Sequence, residues 1–205
     1  MPAFRIASLF IVTALWTGSS ARAQDVELAG VKYPPTLTLA NTSLHLNGAG
    51  VRYKAVFKVY TAGLYLAAKA ATTEQVLAAS GPRRLHIVML RKINASELGR
   101  LFTRGMEDNA RPGEMSKLIP GILKMGDIFS ARKQLAEGES FSVDFVPGVG
   151  ATILVNGRPM AEPIKEPEFF NALMRIWLGD SPADALLKSA LLGEAPKPAP
   201  SGPYH

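Results

Sequence analysis

The sequence predicts one α+β domain with an antiparallel sheet, and three observations carry that prediction. Segments rich in β-branched and aromatic residues stand on both sides of a helical middle. Two capping-box patterns mark the starts of helices in that middle. Asn156-Gly157 follows an apolar run and is a strong hairpin signal, because both residues tolerate positive φ. Strands, then helices, then a hairpin and further helices are typical of an antiparallel sheet covered by helices.

The composition supports this class and excludes several others. The chain has 205 residues, of which 47% are hydrophobic and 20% charged, a balance that excludes a disordered or collagen-like protein. Outside the N-terminus no apolar run approaches the ~18 residues that a membrane-spanning helix needs. Cysteine is absent, which excludes disulfides, zinc–thiolate sites and cysteine nucleophiles. The three histidines are scattered, so we expect neither a metal site nor another cofactor.

Residues 1–23 predict a secretory signal peptide. Arg5 precedes an apolar stretch over 6–16, and the segment ends in Ala21-Arg22-Ala23, a small-residue cleavage site. We expect cleavage after Ala23, a mature chain from Gln24 without a transmembrane segment, and a periplasmic or otherwise secreted location.

The net charge of +6 says little about partners, because the cations are spread along the chain. A groove for single-stranded nucleic acid would need a basic run interleaved with aromatic residues, and the sequence contains none. We therefore expect no nucleic-acid partner. The oligomeric state is left open.

The first third of the mature chain predicts strands. Residues 24–36 are expected to be irregular, with Pro34-Pro35 marking an extended segment. Residues 36–66 then show alternating and β-branched patterns, interrupted at Gly48-Ala49-Gly50. This stretch opens the predicted domain, which spans 37–193.

The middle of the chain is predicted mainly from its caps. Thr72 with Gln75, and Asn94 with Glu97, have capping-box spacing. The predicted elements are a short helix over 72–79, a buried strand over 85–90, a helix over 94–109 and a helical segment over 114–125.

The last part of the domain predicts a hairpin and two helices. Residues 141–146 and 152–155 have strand patterns on either side of a Pro-Gly turn. A helix is expected over 167–178, and a last helix with Ser181 as N-cap and Pro182 at its first position, closed by Gly193. Residues 194–205 contain four prolines and are expected to be a disordered tail.

Arg52 and Thr61 are the first candidates for a site. Two glycines shortly before Arg52 let the backbone approach a bound group, and its planar guanidinium holds a carboxylate or an enolate oxygen well. Thr61 lies nine residues further on, so a hairpin would bring its hydroxyl beside Arg52. The alternative is that Arg52 forms a surface ion pair and Thr61 only fills a strand.

Three separated motifs resemble the chalcone isomerase superfamily, and more closely its bacterial, exported branch. The first is Gly48-Ala49-Gly50-Val51-Arg52 followed by the segment over 57–66. The second is Pro147-Gly148-Val149-Gly150 before the strand that ends in Asn156-Gly157. The third is the segment over 176–182 with the leucines that follow it. The resemblance covers about residues 37–193.

The resemblance implies an open-faced β-sandwich, in which helices cover a long antiparallel sheet and leave an apolar cleft. In the plant enzymes an arginine and a threonine help to position a chalcone during ring closure, and Arg52 and Thr61 match them. The family's tyrosine and asparagine align with Ala95 and Phe102, and a further threonine aligns with Ile176. These three positions have therefore lost their hydrogen-bonding groups.

Two functions of different classes follow from this lining. A cleft with one cation and otherwise apolar walls suits an amphiphile with one anionic head, and non-catalytic members of the superfamily bind fatty acids. We therefore predict a non-catalytic or weakly catalytic binding protein for a fatty acid or similar carboxylate. Its predicted ligand-binding residues are Arg52, Thr61, Ala95, Phe102, Ile176 and Trp177.

The alternative is an isomerase of the chalcone-to-flavanone type, with Arg52 and Thr61 as its catalytic residues. That enzyme would need a hydrogen-bonded water and a tyrosine near the reacting ketone, whereas a binding protein would not. A third reading, a structural or partner-binding protein with a closed cleft, also stays open.

Overall fold

Residues 24–195 are described by a computed structural model of the chain. The predicted signal peptide over 1–23 and residues 196–205 of the predicted tail lie outside the described residues. Within the described part, no helix has both the length and the apolar character needed to cross a membrane.

Eleven strands and five helices form in the described residues. The strands are β1 Val26–Leu28, β2 Val31–Tyr33, β3 Thr36–Leu39, β4 Thr42–Lys54, β5 Phe57–Leu66, β6 Arg83–Met89, β7 Ile93–Asn94, β8 Gln134–Leu135, β9 Ser140–Val146, β10 Gly150–Val155 and β11 Arg158–Pro159. The helices are α1 Thr73–Ala78, α2 Ala95–Glu107, α3 Met115–Ser130, α4 Pro167–Leu178 and α5 Ala185–Leu191.

A seven-stranded antiparallel sheet in the order β11-β10-β9-β6-β5-β4-β3 is the scaffold of the domain. The largest core cluster lies between this sheet and the helices, and it includes Phe102, Phe141 and Trp177. The predicted α+β fold with helices on a long antiparallel sheet is therefore confirmed.

The two faces of the sheet are distinguished most clearly along β5. Tyr60, Ala62 and Leu64 belong to the core cluster under the helices. Gly63 points the other way, since a Cβ added there would lie 2.4 Å from the ring of Tyr33. Because neighbouring residues of a strand point to opposite faces, β5 separates a helix-covered inner face from an outer face.

The expectation that residues 24–36 are irregular is wrong. They contain a hairpin of β1 and β2, with Val26 opposite Tyr33, and then the first residue of β3. The turn uses Ala29 and Gly30 with φ of 49° and 82°. Alanine is an unusual residue in such a turn and the strands have three residues each, so the sequence carries little hairpin signal. This hairpin supplies Tyr33 to the outer face.

Several predicted boundaries are confirmed. The Thr72 hydroxyl accepts from the backbone N–H of Gln75 at the start of α1, and Asn94 caps α2 by accepting from the backbone N–H groups of Ser96 and Glu97. Asn156 and Gly157 connect β10 and β11 with φ of 49° and 74°.

Two predicted helix boundaries are wrong. The last helix is capped by Asp184 rather than Ser181, because the Asp184 carboxylate accepts from two backbone N–H groups of α5. Its other oxygen accepts from the backbone N–H of Tyr53, a distant contact that fixes Asp184 at this position. Helix α3 continues beyond Met125 to Ser130 and tolerates Pro120 within it.

Candidate functional site

A cavity of about 300 Å³ lies between the inner face of the sheet and the helices. Strands β4 and β5 supply Arg52, Val59 and Tyr60 to its wall. Helices α2 and α4 supply apolar side chains, among them Phe102 and Ile176. The cavity therefore has one wall with a cation and a hydroxyl, opposite an apolar wall.

The Arg52 guanidinium is the central charged group of this cavity. Antiparallel pairing places Arg52 opposite Tyr60, and its Cζ lies 5.6 Å from the centre of the Tyr60 ring. Arg52 is half-buried, and among residues 24–195 no carboxylate lies within ion-pair distance of it. The nearby Asp184 carboxylate instead accepts backbone N–H groups. Arg52 is therefore a cation without a fixed counterion in the described part of the chain.

Tyr60 supplies a buried hydroxyl beside this cation. Its oxygen accepts a hydrogen bond from Trp177 Nε1 at 2.8 Å, and residues 24–195 contain no acceptor for the hydroxyl's own hydrogen. Burial raises the pKa of Tyr60 to about 12, although the positive charge of Arg52 partly opposes this rise. The hydroxyl is therefore neutral near pH 7 and able to donate a hydrogen bond into the cavity.

Phe102 and Ile176 make the opposite wall apolar. The Phe102 ring lies 5.4 Å from the rings of both Phe141 and Trp177, so packing holds it in place. Helix α2 approaches Ile176 closely at Gly105, where an added Cβ would lie 3.0 Å from Ile176 Cγ2. A larger residue at Gly105 would push Ile176 aside and alter this wall.

The entrance to the cavity is more polar. Leu101 and Arg104 of α2 and Asp108, the residue that follows this helix, are exposed and contribute to the lining. Arg104 Nε lies 3.8 Å from Asp108 Oδ2, one helical turn away, so this cation has an internal partner. Exposed pairs of this kind contribute little to stability.

The structure brings together only some of the predicted site residues. Arg52, Phe102 and Ile176 line the cavity. Trp177 is outside the lining but donates to the Tyr60 hydroxyl. Ala95 is fully buried at the start of α2 and does not contribute to the lining.

The expectation that Thr61 lies beside Arg52 is wrong. The register pairs Thr61 with Val51 and Arg52 with Tyr60, so Thr61 points to the outer face. Its hydroxyl accepts a hydrogen bond from Tyr33 at 2.8 Å. Thr61 therefore belongs to the packing of the outer face.

Tyr60 is the site residue that the sequence analysis missed. A one-residue change of register reverses which side chains face the helices. The register of β4 and β5 contains irregularities at Leu46/Gly48 and Arg52/Tyr53, which cannot be counted from the sequence. The sequence does contain one signal for this assignment. Tyr60, Ala62, Leu64 and Leu66 alternate with residues that are smaller or more polar, which indicates that Tyr60 shares the core-facing side of the strand.

A metal centre finds no support in the described part of the chain. Residues 24–195 contain no group of three or more His, Cys, Asp or Glu residues placed to hold a metal ion. The polar residues that line the cavity are Arg52, Tyr60, Arg104, Asp108 and Ser181, and most of the other lining residues are apolar.

Comparisons with known proteins agree with this architecture. The fold is similar to the crystal structure of a fatty-acid binding protein from Arabidopsis thaliana, with a TM-score of 0.67 and 14% sequence identity. The match covers 82% of this chain and 96% of the other. A search of curated proteins finds no match. A family model described as chalcone isomerase-like matches residues 25–193. The chain therefore belongs to the chalcone isomerase-like family.

Proposed function

We propose that this protein binds a small amphiphile with one anionic head, such as a fatty acid, in the cavity between sheet and helices. The observation that carries the proposal is the Arg52 guanidinium, which lacks a carboxylate partner among residues 24–195 and faces a largely apolar cavity. The fold likeness to a fatty-acid binding protein supports a binding role.

The polar end of the cavity suits a carboxylate. A half-buried cation needs an anion to offset the hydration that it has lost, and a guanidinium presents two parallel donors to a carboxylate. Tyr60 adds a neutral O–H donor beside it. The proposed head-group contacts are therefore Arg52 and Tyr60, and Thr61 takes no part.

The apolar end suits a hydrocarbon chain. Phe102 and Ile176 form part of this wall, and burying each methylene against such side chains contributes about 0.8 kcal/mol. The volume of about 300 Å³ is near the lower limit of ligand pockets. The cavity therefore favours a compact amphiphile, or encloses only part of a longer chain.

The experiment that tests this proposal compares ligands that differ only in their head group. Titration with a series of fatty acids and with alcohols of the same chain length separates the contribution of the carboxylate. We expect the acid to bind at least about tenfold more tightly than its alcohol, because hydrogen bonds to charged groups contribute about 1.5–3 kcal/mol. Equal binding of acid and alcohol would contradict the proposal. Native mass spectrometry of protein from its own source would then identify the ligand.

An isomerase remains a second candidate because of Tyr60. Its O–H donor and the Arg52 cation share one cavity, and together they would stabilise an oxyanion that forms during ring closure. A chalcone with a 2′-hydroxyl group tests this alternative. Turnover that disappears in both Arg52→Ala and Tyr60→Phe would favour the isomerase, whereas binding without turnover would favour the binding protein.

We also propose that the protein is exported. The support is the pattern of residues 1–23, with a charged start, an apolar middle and Ala21-Arg22-Ala23 at the end. Intact-mass analysis of protein from its own source should give a chain beginning at Gln24. A chain that retains Met1 in the cytosol would contradict export.

A further inference from the structure

The turn between β4 and β5 exposes an unusual combination of side chains. Residues 54–58 read Lys-Ala-Val-Phe-Lys, and all five are exposed. Val56 and Phe57 are 48% and 61% exposed, although both are large apolar residues. Single exposed apolar residues are common, but an adjacent pair at the end of a long hairpin is a candidate interaction surface.

Four cations surround these two apolar side chains. Lys54 and Lys58 flank them in the chain, and Arg91 lies with Cζ 5.5 Å from the centre of the Phe57 ring. Lys92 follows Arg91 and is also exposed. We call the six residues Lys54, Val56, Phe57, Lys58, Arg91 and Lys92 the basic tip.

The charge of the basic tip is largely uncompensated within the protein. In the part of the chain that the structure describes, none of its four cations forms an ion pair. Glu97 is the acidic residue that shares a groove with Lys54, Arg91 and Lys92. The surface therefore combines excess positive charge with protruding apolar side chains.

The geometry points to an anionic phospholipid surface as the partner of the basic tip, and we propose that the protein docks on such a membrane through it. Cations attract the phosphate head groups, while Val56 and Phe57 bury their side chains at the boundary with the acyl chains. An acidic protein surface is the alternative partner for this combination of charge and apolar side chains, and failure to bind anionic vesicles in the experiment below would favour it over a membrane.

Docking in this way would place the cavity close to the membrane. Val59 and Ile93 line both the groove beside the basic tip and the cavity that contains Arg52. An amphiphile would then have a short path between the bilayer and the cavity. The docking proposal does not depend on the identity of the cavity ligand.

Co-sedimentation of the full chain with vesicles tests the proposal. We expect binding to vesicles of mixed phosphatidylglycerol and phosphatidylcholine, much weaker binding to phosphatidylcholine alone, and release at high salt. Lys54→Gln with Lys58→Gln should weaken binding about 30-fold, because each basic residue near the surface contributes about 1 kcal/mol. Phe57→Ser should weaken it about tenfold through lost apolar burial.

Matched control substitutions lie on α3. Leu123 is 64% exposed, close to the value for Phe57, and Lys117 is an exposed lysine. Leu123→Ser and Lys117→Gln should leave vesicle binding unchanged. Circular dichroism should show that all variants fold, since the substituted side chains are exposed.

Three results would overturn the proposal. These are no binding to anionic vesicles, binding that does not depend on lipid charge, and tip variants that bind as the control variants do. All the variants share residues 1–23. If the protein attached to vesicles through that segment, the tip variants would bind as the control variants do, and the proposal would be overturned. Carboxylate binding in the cavity should be unchanged in the tip variants, which separates this proposal from the proposed function.

Discussion

Neighbouring residues of β5 have different surroundings on the two faces of the sheet. On the outer face the Thr61 hydroxyl accepts from Tyr33, and on the inner face the Tyr60 hydroxyl accepts from Trp177, both at 2.8 Å. The Tyr33 hydrogen is used in its bond. Thr61 is fully buried and does not line the cavity, whereas Tyr60 lines it and its hydrogen has no acceptor among residues 24–195, so the Tyr60 donor is the one that a molecule in the cavity can reach.

The arginines on the two faces also differ in whether a carboxylate partner is present. On the outer face Arg84 binds Asp144 through two hydrogen bonds of 2.6 and 2.5 Å. On the inner face Arg52 lacks a carboxylate partner in the described part of the chain. Polar groups that are paired inside a protein stabilise its fold, whereas a half-buried cation without a counterion is available for a ligand.

The largest expected effect is on ligand binding in Arg52→Ala. Removing a charge-assisted contact from a carboxylate typically costs about 2–5 kcal/mol, so affinity for a fatty acid should fall about 30-fold or more. Arg52→Lys should recover only part of this, because an ammonium lacks the two-donor fork. Isothermal titration measures the effect. Unchanged affinity together with a loss of stability would show that Arg52 has a structural role.

The matched change on the outer face is Arg84→Ala, and it should affect stability instead. It leaves the largely buried Asp144 carboxylate without its partner, which should lower the free energy of unfolding by about 2–4 kcal/mol. Chemical denaturation measures this change. Fatty-acid affinity should stay within about twofold of the wild-type value, since additivity holds for distant sites. A large loss of fatty-acid affinity in Arg84→Ala would show that the ion pair on the outer face also supports the ligand site, contrary to the difference between the faces.

A smaller effect should separate Tyr60 from its neighbour Thr61. Tyr60→Phe removes a donor to the proposed carboxylate and should weaken binding about tenfold. Thr61→Val removes the acceptor for the Tyr33 hydroxyl and should cost about 1–2 kcal/mol of stability without a change in affinity. Titration and denaturation of both variants measure these effects. If Thr61→Val weakens binding as much as Tyr60→Phe does, the face assignment is wrong.

The smallest expected effect is a pH dependence of stability from His86 on the outer face. Burial lowers the pKa of His86 from 6.5, Arg84 lowers it further, and Asp144 partly opposes both. The unfolded chain then binds the proton more readily than the folded protein, so stability is complete above about pH 6.5 and falls as the pH decreases below it.

Thermal unfolding at several pH values measures this dependence, with His86→Gln as the control. The fall in melting temperature below about pH 6.5 should be smaller in that variant than in the wild-type protein. An identical pH profile for the two proteins would show that other groups cause the loss.

The sequence alone determined features that depend on a few neighbouring residues. The caps at Thr72 and Asn94 and the hairpin at Asn156-Gly157 are local hydrogen bonds and local φ preferences, so their signals survive without tertiary contacts. The family resemblance and the choice of Arg52 as a candidate also came from contiguous motifs.

Only the tertiary structure decided which residues face each other. The irregular register of β4 and β5 placed Tyr60, not Thr61, beside Arg52. A backbone N–H from Tyr53 helped to fix Asp184 as the cap of α5, although the two residues are far apart in the chain. The physical reason is the two-residue period of a strand, in which a shift of one residue exchanges the inner and outer faces, and that shift is set by pairing between strands.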